Sequence, residues 1–283
     1  MYTMRKDKPL DAVTMAVLAR LQSIAQRNSM AYFVIGATAR DIVMTHVFGI
    51  DAGRATRDVD LAIALENWQQ FAAVKQDFID SGDFQAGTQA HRLYFQQDRH
   101  GIAYPVDLIP FGAIERAKNE IAWPPDMLVV MNVAGYAEAL RSALEVDVGD
   151  GVLTKVVSLP ALAALKLLAW QDRGLEDSKD AHDFFFLLKN YSSAGNIDRV
   201  YDAAESLLAP VDYDPDLAGA ALLGHDAARI LDPVTRLSLL TLLRDPILRD
   251  RLVLHVGRRL DPAVVDRFIG QFQRGLTMPA LDI

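Results

Sequence analysis

The chain of 283 residues contains no cysteine, which excludes disulfides and thiolate zinc sites and suits a reducing compartment. Its six histidines are scattered, with no pair at i, i+4, so an imidazole zinc site is not expected. No stretch approaches the ~20 consecutive apolar residues of a membrane helix, and "MYTMRKDKPLDAV" lacks the apolar core of a signal sequence. A cytoplasmic protein that does not enter a membrane is the expectation. Positive charge is in deficit. The 29 Lys and Arg residues against 37 Asp and Glu give a formal net charge of -8, which argues against a uniformly basic nucleic-acid surface. A local patch could still hold phosphates. Neither a Walker P-loop nor a G-x-G-x-x-G is present, so a kinase-like or dinucleotide site is not supported. Internal repeats and low-complexity segments are also missing.

With 51% hydrophobic residues, the chain can bury a sizeable core, as two domains or one extended domain. In the first half, strand and helix signals alternate. Asp11 can cap a helix running to about Asn28, and "AYFVIG" reads as a buried strand. "TARDIVMTHVF" reads as a helix stopped by Gly49, "RDVDLAIAL" as a second strand and "NWQQFAAVKQDFI" as a helix. "HRLYFQQ", "YPVDLIPF" and "MLVVMNV" are strand-like. Near Ser158 the texture changes to helical stretches separated by Pro, Gly or Asp, among them "SLPALAALKLLAW", "DAHDFFFLLKNY", "VYDAAESLL", "PVTRLSLLTLL" and "VVDRFIGQF". The predicted class is α+β: a mixed-sheet domain with flanking helices over residues 1–158, then a helical domain over residues 159–283.

Strand interiors disfavour Asp, yet "RDVDLAIAL" carries Asp58 and Asp60. In extended backbone these two share a face, about 7 Å apart, and repel each other unless a cation sits between them. Hard oxygen ligands select Mg²⁺ or Mn²⁺. A D-x-D alone is commonly a solvated strand face. Asp107, however, lies within the apolar run "YPVDLIPF" and needs a compensating group there. That group is either an arginine such as Arg92 or Arg57, or a metal shared by all three aspartates, which the upstream "RDVD" favours. Gly36, between a strand and a helix, lets backbone N–H groups approach a phosphate, although a tight turn would also use glycine. Lys166 and Arg173, seven residues apart, lie on one helix face and could reach an anion or simply be solvated. Asp180 and Asp183 suit a surface face or a cap. Phe184, Phe185 and Phe186 read as core. The arginines at 244, 249, 251, 258 and 259 are interspersed with aspartates, as on a solvated helix face, and a phosphate-backbone patch is the minority reading.

Gly36-Ala37-Thr38-Ala39-Arg40-Asp41, Arg57-Asp58-Val59-Asp60-Leu61 and Asp107 together resemble the polymerase-β-type nucleotidyltransferase signature. "LKLLAWQDRGLEDSKDAHDFFFLL" is similar to the succession found in AbiEii-type nucleotidyltransferase toxins, here Lys166, Arg173, Lys179-Asp180 and Asp183. The resemblance spans about residues 31 to 190. Gly36-Ala37 stands where the family usually has Gly-Gly or Gly-Ser, and Thr38 could supply the hydroxyl instead. The resemblance implies that Asp58, Asp60 and Asp107 bind two Mg²⁺ (or Mn²⁺) ions and that Asp107 helps to deprotonate the acceptor. It further implies that Gly36, Ala37, Thr38, Arg40, Arg57, Lys166, Arg173 and Asp180 hold the nucleotide of an NTP substrate, with Lys166 also counted as catalytic. The activity implied is transfer of NMP to an acceptor, favoured as a tRNA 3′ end. A protein acceptor, or a catalytically silent binding module of the same fold, is the alternative. A toxin or phage-defence role with a cognate antitoxin would follow from the family.

Overall fold

The computed structural model describes residues 1–53, 58–96, 102–175, 177–257 and 260–281. The chain divides into two compact units, Met1–Val157 and Ser158–Ile283. In the first, strand β1 (Tyr2–Thr3) precedes helix α1 (Ala12–Arg27). Asp11 caps α1, its Oδ1 accepting from the N–H groups of Val13 and Thr14 at 3.0 Å each. Strand β2 (Tyr32–Ile35) runs straight into helix α2 (Gly36–Asp41), which continues as a π-helix over Ile42–Val47. The wider winding shows in Phe48 N–H donating to the Val43 carbonyl, and the chain then turns at Gly49 (φ +77°). Next come β3 (Val59–Ala64), α3 (Trp68–Asp80), β4 (Phe84–Ala86), β5 (Arg92–Phe95) and β6 (Tyr104–Phe111). Asn67 caps α3 by accepting from Gln70 N–H at 2.9 Å. The unit closes with β7 (Glu120–Ala122), β8 (Val130–Asn132), α4 (Tyr136–Arg141), β9 (Leu144–Asp147) and β10 (Leu153–Val156).

Eight of these strands form one mixed sheet in the order β1-β9-β10-β2-β3-β6-β5-β4, while β7 and β8 pair separately. Parallel pairing joins β3 to β6, and antiparallel pairing joins β2 to β3 and β5 to β6. The central strands are buried on both faces, as their unbroken apolar runs require: all four residues of β2 are buried, as are Leu61, Ala62 and Ile63 of β3. Among the elements not foreseen are β1, β4 and the β9–β10 hairpin, which complete the sheet edges.

The second unit is helical throughout: α5 (Leu159–Arg173), α6 (Lys179–Asn190), α7 (Ile197–Asp202), α8 (Ala204–Leu207), a 3₁₀ turn at Ala209–Val211, α9 (Pro215–Ile230), α10 (Pro233–Arg244), α11 (Pro246–Val256) and α12 (Pro262–Gly275). The last four each begin with an Asp-Pro pair, which places a residue lacking N–H at the first helical position, and in α9, α11 and α12 the Asp side chain also caps the helix. Phe184 and Phe185 are core residues, packed edge-on against Phe272 and Phe268 respectively. Helix α9 is buried from Leu217 to Gly224, and it meets α12 backbone to backbone. A Cβ on Gly224 would fall on the Phe272 carbonyl oxygen and lie 3.1 Å from Leu276 N.

This contact leaves no room for a methyl group. Overpacking of this kind costs about 1 to 3 kcal/mol, so Gly224→Ala should be destabilised despite the better helix propensity of alanine. The expected reading is a thermal midpoint lower by several degrees. A midpoint at or above that of the wild type would show that α9 and α12 do not touch through their backbones.

Candidate active site

The β2–α2 junction is shaped by its neighbour β3. Ile35 pairs with Asp60 across the antiparallel ladder, and the next residue, Gly36, adopts φ +71°. A Cβ on Gly36 would collide with Asp60 Oδ2 and sit 3.0 Å from its Cγ, so the position admits only glycine for both conformation and space. Two residues on, the buried Thr38 donates its hydroxyl proton to the Asp58 carbonyl oxygen at 2.6 Å. Thr38 thereby staples the start of α2 to the D-x-D segment. Ala37 is partly exposed at the first turn of this helix. Arg40 is 2% exposed, and its Nε and Nη2 donate to Asp41 Oδ1 at 2.9 and 2.7 Å, so the guanidinium is an interior group. Arg57 lies outside the described residues.

Asp60 and Asp107 are register partners on the parallel strands β3 and β6. Asp58 is exposed immediately before β3, and Asp60 is half-buried within it. Among the described residues no group of three or more carboxylates or imidazoles is arranged to hold a metal. Asp107 is held by Arg92. It sits across the antiparallel ladder from Asp107, and its Nε and Nη2 donate to Oδ1 and Oδ2 at 2.8 and 2.6 Å. Of the two compensating groups the sequence allowed, the structure shows the arginine. The hydrogen bonds to Asp107 raise the Arg92 pKa further above its ordinary value. His91 Nε2 stands 3.9 Å from Asp107 Oδ2, and the ring packs on Trp123 with centroids 5.2 Å apart. Burial lowers the His91 pKa against the opposing pull of Asp107. As a donor set, Asp58 and Asp60 offer hard oxygens of the kind Mg²⁺ prefers. Asp107 adds to them only insofar as its oxygens leave Arg92.

A second charged cluster lies within the helical unit. Lys166 Nζ, on α5, is 3.0 Å from Asp180 Oδ1 and 2.7 Å from Asp183 Oδ2, both on α6. Arg173 Nε donates to Asp180 Oδ2 at 2.7 Å. Lys166, Asp180 and Asp183 are all buried, whereas the Arg173 side chain is 57% exposed. Neither a solvated face nor a surface cap describes these residues. The i, i+7 spacing on α5 and the i, i+3 spacing on α6 turn four charges toward one another. Of the C-terminal arginines, Arg249 is bound to Asp266 and Gln273, and Arg251 lies over the Trp170 ring at 4.6 Å. Arg244 is exposed, and Arg258 and Arg259 lie outside the described residues. The basic track is therefore thinner than the sequence suggests.

A family model, that of the nucleotidyl transferase AbiEii toxin of a type IV toxin–antitoxin system, matches residues 32–252. The chain belongs to the AbiEii nucleotidyltransferase toxin family. It is accordingly a nucleotidyltransferase, and the match spans both the Gly36 to Asp107 region and the Lys166 to Asp183 cluster. Among curated proteins no significant relative is found. Among solved structures, the chain is similar to an antigenic nucleotidyltransferase-like protein from Paracoccidioides brasiliensis, with 16% identity and a TM-score of 0.43 over 74% of this chain and 95% of that one. It is similar to the antibiotic-resistance factor ANT(2″)-Ia, with 14% identity and a TM-score of 0.38 over 69% of this chain and 97% of that one. It is also similar to the CdnE cyclic dinucleotide synthase of Elizabethkingia meningoseptica, solved with GTP and Apcpp, at 12% identity and a TM-score of 0.26 over 78% of each chain. Among the described residues no helix is long and apolar enough to cross a membrane.

The buried cluster makes its own prediction. Burial pushes the Asp180 carboxyl pKa up, but Lys166 and Arg173 outweigh it and hold the group below the ordinary carboxylate value. A carboxylate lowered in the folded state stabilises the fold above its unfolded pKa, about 3.9, and that contribution is lost as pH falls through the folded value. Asp180→Asn should therefore be less stable than the wild type by about 3 kcal/mol near neutral pH, the cost of removing one partner from a buried pair. The difference should shrink in urea titrations below about pH 4. A difference of equal size in strong acid would mean that Asp180 acts through shape and not through charge.

Proposed function

We propose that this family member transfers NMP from an NTP to the 3′ end of a tRNA, with Asp58, Asp60 and Asp107 as the reaction's carboxylates. The observation that supports this most directly is the register of Asp60 beside Asp107, with the bare backbone of Gly36 against Asp60. In the reaction an acceptor oxygen bonds to the α-phosphorus, the bond from that phosphorus to the bridging oxygen breaks, and pyrophosphate leaves. Divalent cations held by these carboxylates would neutralise phosphoryl charge and polarise the acceptor oxygen.

The remaining roles belong to side chains and backbone already described. Gly36, lacking a Cβ, lets the Asp60 carboxylate lie against its backbone, and the phosphate contact is assigned to the backbone of Gly36 and Ala37. Thr38, with its proton committed to the Asp58 carbonyl, fixes the D-x-D segment and is assigned a positioning role. The buried, Asp41-bound Arg40 supports α2 from within. Asp107 accepts the acceptor hydroxyl proton on whichever oxygen Arg92 releases. Lys166 and Arg173 are the proposed triphosphate cations, and Asp180 orients both by bridging them. The toxin role with a cognate antitoxin fits the family's type IV system, and a phage-defence role is proposed alongside it.

Asp60→Asn keeps the size of the side chain and removes its charge. Transfer should fall by orders of magnitude, while the stability of the protein without ligands holds or rises slightly as repulsion with Asp107 is relieved. A fully active variant would overturn the assignment.

The acceptor is decided by incubating the protein with each α-labelled NTP and purified tRNA at low and high salt. Labelling of tRNA is expected at low salt, with affinity falling at a log–log slope of about -0.7 per phosphate contact on a single strand. Unlabelled tRNA beside a strongly labelled protein in lysate would point to protein NMPylation instead.

A further inference from the structure

Arg92 stands outside the residues that the nucleotidyltransferase signature supplies, yet it holds the third carboxylate by both oxygens. Three observations bear on what it does. The contact is a two-point fork at 2.8 and 2.6 Å, the arrangement in which a guanidinium grips a carboxylate most firmly. Its position is fixed by the sheet, since Arg92 and Asp107 are register partners on β5 and β6. The carboxylate it holds is in turn the register partner of Asp60 on the other side. Asp107 thus lies between an acidic neighbour and a basic one on adjacent strands, and its side chain is 13% exposed.

We infer that Arg92 is a positioning residue that competes with the divalent cation for Asp107, so that the cation is held weakly until the reaction's other components draw the carboxylate off the fork. The inference rests on the proposed role of Asp58, Asp60 and Asp107. Neutralisation is the reason for the fork: the guanidinium offsets the charge of Asp107, which lies beside another carboxylate on the neighbouring strand of a partly buried sheet. Competition is the consequence. A cation approaching Asp107 meets oxygens that already accept two hydrogen bonds, and it meets the guanidinium charge as well. A carboxylate available for only about a tenth of the time weakens apparent affinity about tenfold.

The test is binding of Mn²⁺ alone, followed by the loss of the free-ion paramagnetic resonance signal, with folding of each variant checked by circular dichroism. Arg92→Gln should bind Mn²⁺ about tenfold more tightly than the wild type, because Asp107 is released. Arg92→Lys retains the charge without the fork and should show a smaller gain. In the double variant Arg92→Gln with Asp107→Asn the gain should disappear. If Mn²⁺ binding depends on Asp60 but Arg92→Gln and Arg92→Lys bind no more tightly than the wild type, the competition is wrong and the carboxylate site stands. If no form of the protein binds Mn²⁺, both the competition and the proposed site fall.

Discussion

The arrangement of the first unit depends on one pairing: β3 runs parallel to β6 in a register that sets Asp60 beside Asp107. Neighbouring strands are about 4.8 Å apart, so the two carboxylates lie close together in a partly buried patch where like charges repel. Each flanking element answers that constraint in its own way. On one side, β5 supplies the Arg92 fork. On the other, β2 is followed by a glycine, because any side chain there would strike the Asp60 carboxylate. Thr38 then ties α2 to the Asp58 carbonyl. Without the negative pair, β2 could end in any small turn and Arg92 would have no reason to fold back on its neighbour.

Much of this was legible in the sequence. The strand and helix bearing Gly36, the strand bearing Asp60 and the apolar strand bearing Asp107 each carry a period or a cap that needs no tertiary information. The partner of Asp107 was narrowed to a cation or an arginine, and no further, because charge balance states a need without naming its source. Choosing Arg92 requires the antiparallel register of β5 on β6, a contact between residues fifteen apart whose alignment no local pattern encodes. The short strands β1 and β4 escaped for the same reason: two or three residues carry too little periodicity to stand out.

The helical unit reverses the difficulty. The starts of its last four helices are written in Asp-Pro pairs at 214–215, 232–233, 245–246 and 261–262, where an Asp at the cap position precedes a first-turn proline. Its interior is harder to read. Helix α9 has buried residues in unbroken succession from Leu217 to His225, so it shows no polar stripe by which a surface helix is recognised. The arginines of α11 looked like a solvated face because aspartates alternate with them. Arg249 and Arg251 instead turn inward, one to Asp266 and Gln273 and the other over the Trp170 ring.

The Lys166 cluster raises a question that stability alone does not answer. Lys166 lies in the middle of α5 among Leu162, Leu165, Leu167 and Trp170, all buried, where an aliphatic side chain would pack without desolvating a charge. Two buried aspartates and a half-exposed arginine are then needed to balance it. Buried ion pairs of this kind commonly stabilise no more than well-packed apolar residues of equal volume. The cluster is costly, and its members lie within the stretch, residues 32–252, that the AbiEii family model matches. The buried ammonium is neutralised by its two carboxylates, and the guanidinium that shares Asp180 reaches solvent from a fixed place. Under the proposed function, whose substrate is a triphosphate, the Arg173 guanidinium gives a reason for charge at this place which core packing does not supply.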